Sequence, residues 1–343
     1  MENLKDLEVK LGGHFKINSC RLKFITAFIS ILFLARTVNF THIAKFMPGS
    51  ALISSQYRKI QRFFENYDFD LDIVARFMVA NIPNNNEKFY LTLDRTNWKF
   101  GTFNINILVL GIACNGISFP ILWILLDKKG NSNTLERIQI IEKFILLFGR
   151  EKIEFLLCDR EFIGKEWFNY LIDKVKISFR IRVKDCYLIN KKDGNESKIK
   201  NFFRNIKPGE YKVLDGKRKL WGLHLYVVGG KNTDGELIVI VTDIAPETAL
   251  RDYLIRWSIE VLFKCLKTNG FNFEDTHLKD RKKISKLLGL LAIAFCWAYI
   301  VGEYCAKINP IKIKKHLRKE KSVFRLGADF LGNIILYSRQ KVK

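Results

Sequence analysis

Proline and methionine are scarce, 6 and 3 among 343 residues, while 48% of the chain is hydrophobic and 28 residues are phenylalanine. That balance excludes a disordered tail and predicts a large buried core. Cysteine is sparse and scattered: the seven, at 20, 114, 158, 186, 265, 296 and 305, are odd in number and never spaced Cys-x-x-Cys. This argues against a disulfide framework and a structural zinc site, and fits a reducing cytosol. His14, His42, His224, His277 and His316 form no ligand spacing. No G-x-x-x-x-G-K loop occurs, so ATP is not expected. The first residues, MENLKDLEVKLGGHFK, mix acids and bases ahead of any apolar run, which does not read as a secretory signal, so a protein that stays inside the cell is expected. What the chain lacks most is negative charge. Its 58 Lys and Arg against 35 Asp and Glu leave a net +23, an excess that folding does not require and that points to an anionic partner, nucleic acid or a membrane surface.

Long apolar runs are short of a bilayer's needs. Leu287 to Gly302 is sixteen residues against the roughly 20 of a spanning helix, so a buried helix is expected, with a membrane span as the competing reading. Gly101 to Leu126 is broken by Asn104, Asn106, Asn115-Gly116, Ser118 and Pro120, and reads as two strands joined by an Asn-Gly turn.

Residues 1–85 read as helical. In SSQYRKIQRFFENY, Arg58 and Arg62 alternate with Ile60, Phe63 and Phe64 at helical spacing, and positions 1–80 hold eleven basic and seven acidic residues. A DNA-touching helical module and a plain bundle both fit. After a polar break at Asn81 to Asn86, three strands are expected at 88–94, 104–114 and 117–126. GNSN (130–133) then caps a helix, followed by a strand at 152–159, a helix from Gly164 to about Val175 and a strand at 178–184. Asp215-Gly216 and Asp234-Gly235 mark turns of an all-β insertion over 185–247. Helix returns over 248–305. The region 306–343 is basic, with eleven Lys and Arg against two acids from 307 onward, and reads either as a DNA-backbone track or as a solvated face.

Pro120 cannot donate to a central ladder, so the third strand belongs at an edge, and a strand reached through a crossover helix lies parallel to its neighbour. The sheet order becomes 3-2-1-4-5. Asp94 and Asp159 then end two adjacent parallel strands, at the rim where open α/β sheets bind ligands. Downstream, Tyr253, Arg256, Glu260 and Lys267 fall within about 60° of one helix face. Alone, that stripe is equally a solvated face with an Arg256–Glu260 pair. Beside the two aspartates, Glu260 completes three acids that cannot all stay ionised unless cations neutralise them, the donor set of a Mg²⁺ site for phosphoryl transfer.

LDRTNWKFG (93–101), GNSN, LCDREFIG (157–164), Tyr253-x2-Arg256-x3-Glu260-x6-Lys267, GFNFEDTHL (270–278) and HLRKEKSVFRLG (316–327), in this order, resemble DDE transposases of the bacterial insertion-sequence-4 family over about 88–330. The resemblance implies an α/β, ribonuclease H-like catalytic core with an all-β insertion and an N-terminal helical domain. It implies Asp94, Asp159 and Glu260 as catalytic acids holding two Mg²⁺ ions when DNA is bound, with Mn²⁺ able to substitute. Tyr253, Arg256 and Lys267 would hold DNA phosphates near the cut. Trp221 would stack on a flipped base, though a tryptophan at a strand start is more often a core residue. Trp98, in the first motif, also fits plain packing. The implied partners are transposon-end and target DNA and further copies of the chain in a synaptic complex. Glu161, which fits either the sheet rim or a simple pair with Arg160, and Asp127 are left outside the site. An inactive DNA-binding relative and a structure-specific nuclease on the same fold remain the alternatives.

Overall fold

The computed structural model describes residues 2–83, 87–315 and 317–340, so His316 and part of the polar break at 81–86 lie outside the described residues. Contacts divide the chain into two compact units: one of 1–83, 97–105 and 262–343, the other of 84–96 and 106–261.

The first unit is mostly helical. Its helices are α1 (Glu2–His14), α2 (Ser19–Ala35), α3 (Phe40–Ala44), α4 (Ile53–Asn66) and α5 (Leu71–Asn81), and from the other end of the chain α11 (Arg281–Ile308) and α12 (Val323–Gln340). Sequence reading separates 1–85 from the C-terminal residues, yet α11 packs on α2, α4, α5 and α12. The physical reason is that α11 is apolar all round and needs partners on every side. It runs 28 residues rather than sixteen, and is by length and composition able to cross a bilayer, but 72% of its apolar window is buried within the unit. The basic tail is likewise not one solvated face: α12 buries Phe324, Leu331 and Ile335. α11 and α12 meet at Gly302 and Gly327, where a Cβ on either would overlap a backbone oxygen of the other helix, Val323 and Ala298 respectively.

The central sheet begins with β1 (Phe89–Phe100), β2 (Phe103–Cys114) and β3 (Ile117–Leu125). Asn115 and Gly116 both have positive φ (50° and 79°), the conformation a two-residue hairpin turn requires. α6 (Thr134–Phe148) opens on a capping box between Asn133 and Glu136 and packs on β3. β4 (Ile153–Cys158), α7 (Lys165–Asn169), a π-helical turn over Tyr170–Lys174 and β5 (Phe179–Val183) follow. β4 runs parallel to β1 and to β5, and the order is 3-2-1-4-5 with β3, which carries Pro120, at the edge. β1 is longer than its apolar run and continues six residues beyond Asp94.

The region 185–247 is not a separate all-β body. β6 (Leu188–Asn190) and β7 (Glu196–Lys198) form a two-stranded sheet, followed by the short α8 (Ile199–Phe202). β8 (Tyr211–Val213), β9 (Arg218–Leu220), β10 (Leu223–Lys231) and β11 (Leu237–Thr242) extend the central sheet, because β11 pairs antiparallel with the free side of β5. α9 (Ala249–Leu254) then lies across β4, β5, β10 and β11. Tyr253 packs there with Val228, Ile240 and Ala249. The helix expected to run on without interruption breaks at Ile255 and Arg256 and restarts as α10 (Trp257–Leu266). Tight i→i+3 bonds, Arg256 N–H to Tyr253 O and Ile259 N–H to Arg256 O, mark the break.

Candidate active site

The parallel ladder of β1 and β4 ends at the pair Leu93–Cys158, so Asp94 and Asp159 each follow by one residue and emerge together where the ladder stops. Each caps its own turn: Asp94 Oδ1 accepts from the Arg95 N–H and Asp159 Oδ1 from the Arg160 N–H, both at 2.7 Å. The break between α9 and α10 supplies the remaining contacts. The Tyr253 hydroxyl donates to Asp159 Oδ1 at 3.3 Å. Arg256 reaches both of the other acids, with Nη1 at 3.3 Å from Asp94 Oδ2 and Nη2 at 2.7 Å from Glu260 Oε1. The three acids thus join one hydrogen-bonded network through Tyr253 and Arg256.

Electrostatics follow from this packing. Burial pushes the Asp94 carboxyl up to about 7, and the neighbouring charges of Glu161 and Asp159 add to that, against the pull of the Arg95 N–H and Arg256. Burial also raises the Tyr253 phenol, which stays a proton donor. Burial alone would lower Arg256, but Tyr253, the Glu260 hydrogen bond, Asp159 and Asp94 outweigh it and keep the guanidinium charged.

A surrounding layer was not legible in the motifs. Arg95 clasps Glu161 with Nε and Nη2 (3.2 and 3.3 Å) and also donates from Nη1 to Asn106 (2.9 Å) and from Nη2 to Asn131 (3.1 Å). Glu161 therefore pairs across the sheet with Arg95, not with its neighbour Arg160. Buried Arg137 donates to Ser132 Oγ and O and to the carbonyls of Glu161 and Ile163. GNSN is thus more than a helix cap: its Asn131 and Ser132 brace the loop that carries Asp159. The available signal was Arg95 standing next to Asp94 in the LDRT run. Below Tyr253, fully buried Arg180 on β5 holds Asp252 of α9 (Nη2 to Oδ2, 3.3 Å), Thr242, Thr248 and the carbonyls of Ile244 and Ala245, with its guanidinium 3.7 Å from the Phe155 ring centroid.

Two expected residues take other partners. Lys267, in the helical unit, pairs with Glu274 at 2.7 Å and lies over the ring of Trp98, which is buried against Phe273. Trp221 sits in the two-residue turn between β9 and β10 with φ 50°, half-buried against Phe168 and Tyr187, at ring distances of 5.7 and 5.0 Å.

Among the described residues, no three His, Cys, Asp or Glu side chains stand together as a cation-holding group. The donor chemistry still fits one: Asp94, Asp159 and Glu260 offer only oxygen, the ligand a hard divalent ion takes, and the guanidinium between Asp94 and Glu260 shows that the site already accommodates positive charge.

A model of the transposase DDE domain matches residues 91–297, more than half of the chain. No curated protein matches the sequence. Four solved chains match, among them the piggyBac transposase of a cryo-EM synaptic complex with hairpin DNA. It superposes at a TM-score of 0.50 and 14% identity over 92% of this chain and 72% of that one, a likeness of fold.

Proposed function

The chain belongs to the family of the transposase DDE domain, and from that premise we propose that it cuts the ends of a mobile DNA element and joins them to target DNA by divalent-metal-dependent phosphoryl transfer on a ribonuclease H-like core. The observation that carries the mechanism is the emergence of Asp94 and Asp159 side by side, with Glu260 tied to Asp94 through Arg256. Mg²⁺, or Mn²⁺ in its place, held by Asp94, Asp159 and Glu260 as a pair of ions once DNA is bound, would supply the activated water and clamp the attacking and leaving oxygens.

The protein's own residues supply the rest. Tyr253, kept protonated, and Arg256, kept charged, offer donors to phosphate oxygens at the acid cluster. Lys267 is a further phosphate contact, and Trp221 a stacking surface for a base displaced at the cut. At the start of α2 an open cleft is lined by Arg21, Lys59, Arg62 and Tyr67, with no carboxylate among its lining residues. Three cations on one opening suit a DNA backbone, which supports the N-terminal helices as an end-binding region. The motif order favours the insertion-sequence-4 branch, with two or more copies assembled on paired DNA ends in the cytoplasm.

The test is Asp94→Asn. Cleavage of DNA carrying the element's ends should fall roughly a thousandfold while binding of the same DNA is retained. Cutting that survives would remove the acid cluster from the chemistry. Cutting by the wild type without joining to a second duplex would make the protein a nuclease, and binding without either would make it an inactive relative.

A further inference from the structure

Arg256 is 4% exposed, and its fork is divided between two carboxylates on different elements, Asp94 of β1 and Glu260 of α10. Its Nε is buried with no partner. Arg95, the basic side chain next to Asp94, is already engaged, since it gives four hydrogen bonds to Glu161, Asn106 and Asn131. Arg182, on the far side of β4, is held by Glu236 at 2.6 Å. The charge of Asp94 and Glu260 is therefore answered by one guanidinium, and these same residues do not close as a three-ligand group with Asp159.

We infer that Arg256 is a resident counter-ion: in the DNA-free protein it holds Asp94 and Glu260 in place of a divalent cation, and it releases them only when a phosphate diester draws the guanidinium away. This deepens the transposase reading and rests on taking Asp94, Asp159 and Glu260 as a divalent-cation site. The physics is competition for shared ligands. A guanidinium bonded to two carboxylates repels a second cation offered to those oxygens, and at this burial the repulsion is weakly screened. Withdrawing Arg256 without a new anion would strand its own buried charge and leave the largely buried Asp94 without its cation, which is unfavourable. A phosphate supplies that anion, and the planar fork, with Nε already free, matches two phosphate oxygens. Loading would then follow DNA binding, so an unbound chain would carry little divalent metal and hydrolyse little by chance.

The experiment is Mn²⁺ titration of the full chain, followed by electron paramagnetic resonance of the free ion, with and without a short DNA duplex. An Asp94→Asn, Asp159→Asn chain with the same duplex sets the background from DNA-bound Mn²⁺. Without DNA, Arg256→Gln should bind Mn²⁺ roughly tenfold or more tighter than wild type. Duplex should tighten the wild type by a similar factor and leave Arg256→Gln unchanged. Arg256→Lys, which keeps a charge but cannot fork, should fall between them, and it carries the test if circular dichroism shows Arg256→Gln unfolded. Variants binding Mn²⁺ no tighter than a wild type that does bind would overturn the counter-ion role and leave the metal site standing. Absence of Mn²⁺ binding above background in wild type and variants, even with duplex, would overturn the metal site itself.

Discussion

Leu93 and Cys158 are the last partners of the parallel ladder between β1 and β4, and the residue after each is an aspartate. That single register brings together carboxylates 65 positions apart, and it buries the first of them.

Asp94 should make the metal-free protein less stable as pH rises. Its folded-state pKa, about 7, lies above the ordinary 3.8, so between those values the folded chain holds a proton that the unfolded chain has lost. The stabilisation is fully present below about pH 4 and is lost as pH climbs through about 7. Denaturant unfolding of wild type and Asp94→Asn at pH 5 and pH 8 should show the wild type losing about 2–4 kcal/mol relative to the variant. Equal pH dependence in both would assign the effect to other groups.

Arg180→Met should cost about 3–5 kcal/mol, because buried Asp252 would lose its buried partner and keep only the Thr248 hydroxyl and the solvent-exposed Arg251 at 3.7 Å. Arg180→Met with Asp252→Leu should recover most of that loss. Urea unfolding of the single and double variants reads the difference, and additive losses would show that the two side chains are not coupled.

Gly327→Ala should separate α11 from α12, since its Cβ would meet the Ala298 carbonyl oxygen. About 1–3 kcal/mol is expected from forcing that crossing apart, measured as a lowered melting temperature. A change within error would mean that the helices slide without cost.

Trp221→Asn should leave stability within about 1 kcal/mol, because asparagine tolerates the positive φ of the turn. Single-turnover cleavage should slow by the worth of one base stack, roughly 1–3 kcal/mol. A variant that melts early and cleaves normally would return Trp221 to a packing role.

How far these features were legible in the sequence depends on whether the information is local. Pro120, the Asn115-Gly116 turn and the crossover helix between β3 and β4 each constrain topology by themselves, and together they yield the order 3-2-1-4-5. The spacing of Arg256 and Glu260 likewise gives their ion pair without further help. Partners chosen across the fold were not legible. Arg95 meets Glu161 only because the loop after β4 turns back over β1, and β11 adds to β5 because that strand had a free side. The break at Ile255 carries no Gly or Pro to mark it, yet it separates Tyr253, which reaches Asp159, from Arg256, which reaches Asp94.

The helical unit closes on itself from both ends of the chain, with α11 and α12 filling the faces left open by α2 and α5. During synthesis the first five helices therefore wait, with apolar sides uncovered, until the sheet and then α11 and α12 have been made. Arg256 and Glu260 also arrive only after the sheet that carries Asp94 and Asp159. A chain cut short before α11 would be left with exposed apolar helices open to proteolysis.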